Sequence, residues 1–421
     1  MEELLFLAHR IPFPPNKGDK VRSYHLMRYL TQHYRVHLGA FVDDPDDWKH
    51  ADVLRDMCAE VHLIPLARRR ATLRSATGLL TRKPLTLPYY HDAGMARWVD
   101  DLLGRRPVHA SFVFSSAMGQ YVEHHDGIRR VVDFVDVDSD KWRQYAVKCR
   151  GLKRLVYARE ADCLLRYERH LASIADVSFF VSRDEADLFR SLSPDQQGKV
   201  DHFNQSVDTR HFARDSASIS PYADHRKVIV FTGAMDYWPN ADAVTWFARD
   251  VFPAVRKAHE DAMFFIVGSR PTDEVKRLAT LPGVHVTGRV EDIRPYLWHA
   301  AVAVAPLRIA RGVQTKVLEA MAAGTPTVVT SGALEGIGAI PGKHVLLADT
   351  AGQFSLAVDK LLRESIPALS VHARELVECE HEWENNLERV LHALQGVDHM
   401  HSVSSEGEHS DRIAAGMAED R

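Results

Sequence analysis

The chain has 421 residues, which is enough for two domains of about 150–200 residues each. Its hydrophobic content is 45% and its charged content 26%, which argues against a disordered or fibrous protein. The net charge of -4 gives no overall positive field for binding nucleic acid. The four cysteines form no CxxC pair, so a zinc site or a disulfide framework is not expected and a cytoplasmic location is favoured.

Short apolar runs alternate with amphipathic segments in the first half of the chain, a pattern typical of parallel strands joined by helices. The predicted strands are Leu4–Ala8, Val36–Val42, Val61–Pro65, Ser111–Phe114, Val131–Val135 and Val177–Val181. The clearest predicted helices are Asp19–His33 and a long segment from about Asp140 to Ala172. We therefore predict an N-terminal Rossmann-like domain over residues 1–212.

The pattern restarts after a polar segment, residues 213–226, which is predicted to be a linker. The next predicted strands are Val228–Thr232, Met263–Val267, Val284–Thr287, Val302–Ala305, Thr327–Thr330 and Val345–Leu347. The predicted helices between them are Ala241–His259, Asp292–His299, Val313–Ala323 and Gln353–Arg363. A second domain is thus expected over residues 227–372, then a helical segment 373–395 that packs back on the first domain, and a disordered tail 396–421. The predicted fold class is α/β, with two doubly wound parallel sheets.

A basic loop precedes a predicted helix that opens at Gly312 and stops at Gly324. The unpaired N–H groups of a helix N-terminus bind phosphate, and Gly312 would let the anion approach the backbone. Arg311 and Lys316 add positive charge, and Glu319 lies about two turns into the helix, where its carboxylate could accept bonds from ribose hydroxyls. A solvated helix with incidental charges is the alternative interpretation.

Several short sequence motifs together resemble those of the retaining glycosyltransferases of family 4, which have the two-domain GT-B fold. These motifs are Lys316–Pro326 (KVLEAMAAGTP), Glu335–Ile337, Gly288–Asp292, Phe180–Ala186, Val207–Asp208 and Pro12–Arg22. The resemblance extends over residues 4–395. The wording of Asp133–Trp142 is most similar to sugar transferases associated with bacterial exopolysaccharide and exosortase (PEP-CTERM) systems.

The resemblance implies a nucleotide-diphosphate-sugar donor, a UDP- or GDP-sugar, and no cofactor or metal. It assigns the donor diphosphate to Gly312, Val313 and Gln314, the ribose to Glu319, and the base pocket to a segment that includes Gly288, Val290 and Asp292. Gly233, in the loop after the first strand of the second domain, is also assigned to the donor.

Two departures from the family pattern concern charge at the donor phosphates. Arg311 stands where the family has a second Glu, and the loop Gly233–Asn240 lacks the usual Arg and Lys. We hypothesise that Arg311 and Lys316 supply the missing charge as the diphosphate departs. The family's Asn-Gly-Val-Asp word is also altered here, to Gln205–Asp208, which is given no role.

The acceptor is expected in the N-terminal domain. The loop Pro12–Arg22, in which Lys17, Lys20 and Arg22 flank Gly18, would lie near the donor phosphates and the acceptor. Four aspartates follow a buried strand, and Asp136 and Asp138 are the candidates for the acceptor pocket. A role in capping the next helix is the alternative.

Other functions remain open at this stage. Asp136-Val-Asp138 also resembles the metal-binding DxD word of the single-sheet GT-A transferases. A GT-B sugar-nucleotide epimerase and a non-catalytic nucleotide-sugar-binding subunit are further alternatives.

A basic run, Arg68–Arg70 with Arg74 and Arg82–Lys83, predicts either an exposed helix or docking on anionic lipids at the inner face of the plasma membrane. The second interpretation fits a lipid-linked saccharide acceptor.

Overall fold

The computed structural model describes residues 1–15, 18–222, 227–310 and 312–397. The chain forms two compact units. The first contains Met1–Phe203 together with the described residues from Asn386 onward, and the second is Asn204–Asn385. The division thus lies nine residues before the end of the predicted N-terminal domain, residues 1–212.

The first unit is built on a parallel sheet, of which the described residues supply seven strands in the order β3-β2-β1-β4-β5-β6-β7. The strands are β1 Glu2–Ala8, β2 Tyr34–Val42, β3 Glu60–Pro65, β4 Val108–Phe114, β5 Arg129–Val135, β6 Val177–Phe180 and β7 Val200–His202. The central strands are apolar along their length, and Leu4–Ala8 of β1 is completely buried. This is what a parallel sheet covered on both faces requires.

Helices connect these strands in the first unit. They are α1 Gly18–Leu30, α2 Ala51–Met57, α3 Arg68–Ser75, α4 Thr86–Tyr89, α5 Ala93–Arg105, α6 Asp138–Lys148, α7 Gly151–Ile174 and α8 Arg183–Leu192. The predicted helix from Asp140 to Ala172 is wrong in one respect, because the chain breaks into α6 and α7 there. Cys149 and Arg150 are extended and Gly151 has a φ of 64°, which ends one helix before the next begins.

The second unit has a parallel sheet with the order β10-β9-β8-β11-β12-β13 in the part of the chain that is described. Its strands are β8 Val228–Thr232, β9 Met263–Val267, β10 Val284–Gly288, β11 Val302–Ala305, β12 Thr327–Val329 and β13 Leu346–Leu347. Both sheets start from a central pair and grow outwards in both directions, as in doubly wound folds. The predicted α/β class with two parallel-sheet domains is confirmed.

The helices of the second unit begin with α9 Trp238–Trp246, a π-helical turn Phe247–Val251 and α10 Phe252–Ala258. They continue with α11 Asp273–Arg277, α12 Arg294–Trp298, α13 Thr315–Ala322, α14 Ser331–Leu334, α15 Ala351–Arg363 and α16 Pro367–Glu380. The last helix, α17 Trp383–Gln395, begins in the second unit, and its residues from Asn386 onward belong to the first. The predicted segment 373–395 is two helices, since His381 interrupts it. The buried His381 ring contacts the backbone oxygens of Gln205 (2.7 Å) and Ile337 (2.9 Å).

The predicted linker, residues 213–226, has no helix or strand in its described part and packs on the second unit. Tyr222 is buried and its hydroxyl donates to the Tyr296 carbonyl oxygen at 2.5 Å. Residues 223–226 and the tail from 398 onward lie outside the described residues. None of the described helices is long and apolar enough to cross a membrane.

Candidate functional site

Three neighbouring strands of the second sheet end at glycines, Gly233 after β8, Gly268 after β9 and Gly288 at the end of β10. A Cβ atom on Gly268 would lie 1.7 Å from the Gly233 carbonyl oxygen, so the two backbones meet without room for a side chain. Met235 N donates to Ser269 O at 2.8 Å and joins the same two loops. The loops after β8 and β9 are therefore packed closely together at the carboxyl edge of this sheet, where α/β proteins bind ligands.

Hydrogen bonds to Asn240 and Gln314 hold Lys316 at this edge, and we call this group of three residues the Lys316 clamp. The Lys316 ammonium group donates to Asn240 Oδ1 at 3.0 Å and to Gln314 Oε1 at 3.3 Å. Asn240, which is buried, donates in turn to the Ala234 carbonyl oxygen at 2.9 Å. The lysine, the loop after β8 and the start of α9 are thus held together, and a Cβ on Gly233 would contact both Asn240 and Lys316.

The turn before α13 differs from the prediction that a helix opens at Gly312. Gly312 has a φ of 62° and Gln314 is extended, so the helix begins at Thr315. The Gln314 side chain donates to Gly312 O at 3.0 Å, and the Gln314 backbone carbonyl oxygen accepts from Val317 N. The N–H groups without an intrahelical acceptor are consequently those of Thr315 and Lys316 as well as those of the turn before them.

Lys316 and Glu319 lie one turn apart on the same face of α13 and form an electrostatic pair. Burial lowers the pKa of Lys316 to about 8, against an opposing influence of Glu319. Burial also raises the pKa of Glu319 to about 7, and Lys316 opposes that shift. Lys316 can therefore bind a negatively charged group of a ligand, and Glu319 can accept hydrogen bonds from the hydroxyl groups of a ligand.

Two further cations lie at the same edge, and the sequence analysis missed both. Arg270, just after β9, pairs with Asp236 of the loop after β8 at 3.2 Å. Arg308, just after β11, contacts Asp242 of α9, with its Nε 3.1 Å from Oδ2. Their positions directly behind strand ends were the signal that could have identified them.

The predicted base-pocket residues are placed differently from one another. Gly288 ends β10 with a φ of 73°, and Val290 packs against the hydrophobic core. Asp292 is held by the Arg294 guanidinium, which donates to both carboxylate oxygens. The hydrogen bond from Arg294 lowers the pKa of Asp292, so this carboxylate is committed to an internal pair. Val313 also turns its side chain to the core, and Arg311 lies outside the described residues.

In the first unit, two cations of the segment Pro12–Arg22 form internal ion pairs. Lys20 is buried and donates to Asp47 at 2.5 Å. Arg22 is fully buried, pairs with Asp133 at 2.7 Å and stacks on the Phe203 ring. Both side chains are therefore committed to internal ion pairs, because a buried charge without its partner would strongly destabilise the fold. Gly18 is exposed as the first residue of α1, and Lys17 lies outside the described residues.

Asp136 and Asp138 do not cap α6, which was the alternative role for these aspartates. The caps come from other helices: Glu185 accepts from Val137 N at 2.7 Å and Glu168 accepts from Ser139 N at 3.1 Å. Asp138 instead accepts from Lys141 at 3.3 Å. Burial raises the pKa of Asp136, with Lys141 opposing the shift, which leaves a half-buried carboxyl beside an ammonium group.

Fully buried Glu168 is a further group that the sequence did not reveal. Burial raises its pKa to about 8, although the hydrogen bond from Ser139 acts in the opposite direction. Periodicity places Glu168 inside a helix, and nothing in its local sequence marks it as a cap for another one.

Part of the second unit is similar to a known protein family. Residues 226–364, which include the Lys316 clamp, match the family model described as "Glycosyl transferases group 1". A search of curated proteins found no match.

Solved structures resemble nearly the whole chain. HepE of Anabaena in complex with UDP is 13% identical with a TM-score of 0.67, covering 94% of this chain and 100% of its own. Sucrose-phosphate synthase of Thermosynechococcus elongatus is 17% identical with a TM-score of 0.66, covering 94% and 99%. WaaG, a glycosyltransferase of lipopolysaccharide biosynthesis, is 14% identical with a TM-score of 0.60, covering 93% and 100%.

The chain therefore has the GT-B fold, and its residues 226–364 are similar to group 1 glycosyltransferases. This result removes the GT-A alternative, since that fold has one sheet and this chain has two parallel ones.

Proposed function

We propose that this protein is a glycosyltransferase that moves a sugar from a UDP- or GDP-sugar to a saccharide acceptor. The observation that carries the proposal is the clamp that presents the Lys316 ammonium beside the start of α13, within the segment that matches group 1 glycosyltransferases. A lysine at this place gives a cation to a diphosphate whose negative charge grows as the sugar leaves. HepE, which shares the fold, was crystallised with UDP and with UDP-glucose.

The donor side is assigned residue by residue. The amides from Gly312 to Lys316 bind the diphosphate, with Gly233 giving it room to approach the backbone. Glu319 accepts hydrogen bonds from the ribose hydroxyls, and the segment Gly288–Asp292 borders the base. Arg311 shares the phosphate charge with Lys316 in place of the family's missing cations.

The acceptor side is the first unit, with Asp136 and Asp138 orienting the acceptor hydroxyl and Gly18 close to the donor phosphates. The acceptor oxygen attacks C1 of the sugar from the face that the diphosphate leaves. The C1–O bond to the diphosphate breaks, a new C1–O bond forms on the same face, and a phosphate oxygen takes the acceptor proton. Configuration is retained, and neither a metal ion nor a protein nucleophile takes part in the proposed step.

The proposed role is in the assembly of a bacterial exopolysaccharide or another cell-surface glycan, which is the role of exosortase-associated sugar transferases. The acceptor is then a lipid-linked saccharide, presented at the cytoplasmic face of the plasma membrane. Turnover unaffected by EDTA is expected.

The experiment has two stages. Differential scanning fluorimetry against UDP, GDP, ADP and their sugars should show stabilisation by one nucleotide, because a ligand that binds only the folded state shifts unfolding by mass action. Nucleotide release is then measured with the selected donor, with and without acceptors. Release that needs an acceptor supports the transferase; conversion of donor alone identifies an epimerase, and binding without release identifies a binding subunit.

Variants locate the activity. Lys316→Ala should lower kcat/KM by about a hundredfold to a thousandfold, because one electrostatic contact to a developing anion is lost. Lys343→Ala, which removes an exposed lysine from the same unit, is the matched control and should leave kcat/KM unchanged. Near-normal turnover in both Lys316→Ala and Arg311→Ala would show that these residues do not replace the family's cations.

A further inference from the structure

Two stretches of the chain lack acidic residues although the protein as a whole is slightly acidic. Residues 61–91 contain six Lys and Arg and no Asp or Glu, and residues 141–159 contain seven and none. The first stretch includes α3 and the second covers most of α6 and the start of α7. Such a separation of charge within a chain of net charge -4 indicates a specific electropositive surface.

The structure joins these stretches. Arg159 of α7 contacts the carbonyl oxygens of Gly78 and Thr81, and it donates to that of Lys83 at 3.3 Å. The next residue, Glu160, is buried and accepts from Leu85 N at 2.7 Å. The two stretches, which are separated in sequence by residues 92–140, therefore form one surface, which we call the α3/α7 surface.

Most of the cations of the α3/α7 surface face solvent. Arg68 pairs with Asp43 and Arg74 donates to the Tyr89 carbonyl oxygen, so the basic run predicted from the sequence is partly structural. Among the described residues, no ion pair joins a carboxylate to the exposed side chains of Arg69, Arg70, Arg82, Lys83, Arg150, Lys153 and Arg154.

Large apolar side chains lie among these cations. Leu152 and Leu155, on one face at the start of α7, are 77% and 67% exposed. Leu73 and Val147 are 76% and 78% exposed. Leu155 is one turn from Arg159, the residue that joins the two stretches, so the leucines border the junction. Trp142 packs on Tyr157 nearby, with ring centroids 5.1 Å apart.

We propose that the α3/α7 surface docks this protein on a bilayer containing anionic lipids, with the leucines entering the headgroup region and the cations meeting lipid phosphates. Charge complementarity selects this occupant, because two stretches that contain no Asp or Glu and present several cations outside ion pairs suit a negative layer. The exposed leucines disfavour nucleic acid, whose backbone offers them no apolar partner, and are what an interfacial helix inserts. The surface lies in the first unit, away from the Lys316 clamp in sequence, so its test does not depend on sugar transfer.

The experiment is co-sedimentation of the full chain with vesicles of phosphatidylcholine, with or without phosphatidylglycerol. The protein should pellet with phosphatidylglycerol vesicles and remain in solution with phosphatidylcholine alone. The variant Arg150→Ser/Lys153→Ser/Arg154→Ser should lower the partition coefficient about a hundredfold, as each basic residue near an anionic surface contributes about a fivefold gain. Leu152→Ser/Leu155→Ser should lower it by about tenfold or more.

Matched controls lie on the second unit. Arg249→Ser/Lys257→Ser/Lys343→Ser removes three exposed cations, and Leu356→Ser removes a leucine that is 70% exposed; both should sediment as the native chain does. The Tm and the affinity for the donor nucleotide should be unchanged in all variants.

Three results would overturn the proposal. One is native protein that does not pellet, and another is a control that weakens binding as much as the α3/α7 variants. The third is a leucine variant that binds as well as the native chain, which would assign the surface to an acidic protein partner instead.

Discussion

The position of the Lys316 ammonium group depends on a residue that is distant in sequence. The sequence alone identified this lysine through the word that surrounds it, and it also identified Glu319. It could not identify Asn240, because the hydrogen bond to Lys316 joins positions 76 residues apart and the loop Gly233–Asn240 has no charge pattern of its own that points to it. The internal ion pairs of Lys20 and Arg22 could not be predicted for a related reason, since their partners, Asp47 and Asp133, come from other elements.

Affinity for the nucleotide should depend on pH through Lys316. Because burial lowers its pKa to about 8, the ammonium group is charged below that pH and neutral above it. The Kd for UDP, or for whichever nucleotide binds, should therefore rise between pH 8 and pH 10, by up to about tenfold per pH unit. Isothermal titration calorimetry across this range measures it.

Lys316→Arg is the control for this pH dependence, since a guanidinium stays charged throughout the range and should flatten the profile. An alkaline rise of the same size in both proteins would assign the titration to another group.

At the scale of elements, the start of α6 shows what periodicity can and cannot predict. The amphipathic pattern indicated helix over most of 140–172, but it did not predict the break at Cys149 and Arg150. The crowded aspartates suggested either a pocket or a cap. The structure decides against the cap because Glu168 of α7 and Glu185 of α8 occupy the Ser139 and Val137 amides, and only tertiary packing could supply that information.

Glu168 should make the stability of the first unit depend on pH. Its pKa is raised by burial to about 8 from an ordinary value of 4.5, so its stabilising contribution is complete below pH 4.5 and is lost as pH rises through 8. Glu168→Gln keeps an acceptor for Ser139 N and does not titrate. Between pH 5 and pH 8 the native chain should lose about 1–4 kcal/mol of unfolding free energy relative to this variant.

Urea unfolding at the two pH values measures the difference. Glu364→Gln, at an exposed position in the second unit, should follow the native pH dependence. Equal pH dependence in Glu168→Gln and the native chain would mean that Glu168 does not titrate in this range.

For the whole molecule, alternation of apolar strands with helices was sufficient to predict two parallel sheets and most strand positions. It missed β7, whose three residues are too short to give a pattern. It also placed the domain boundary nine residues late, at 212, because the residues after Phe203 have the composition of a loop in either unit. Which unit a loop joins depends on contacts such as Trp298 Nε1 with Phe212 O, at 2.9 Å.

Hydrogen exchange should map the donor onto the second unit. With saturating nucleotide, amide protection is expected at 312–319 and 233–240, where the ligand would cover the start of α13 and the loop after β8. Added protection at the start of α1 would support the assignment of Gly18. UMP, which lacks the second phosphoryl group, is the control and should protect Thr315 and Lys316 less. Unchanged exchange at 312–319 would contradict the proposed donor site.

The second unit runs from Asn204 to Asn385, and the chain on both sides of it belongs to the first unit. In genetic terms, the candidate nucleotide-binding half is an insertion, so a chimera that exchanges it needs two junctions and not one. A single crossover near residue 203 would combine the amino-terminal part of one parent with the carboxyl-terminal helix of the other. Arg129 Nε, which donates to the Ala393 carbonyl oxygen at 2.5 Å, would then face a foreign partner. Grafting residues 204–385 as a cassette keeps that contact native and is the way to recombine donor preference with acceptor preference.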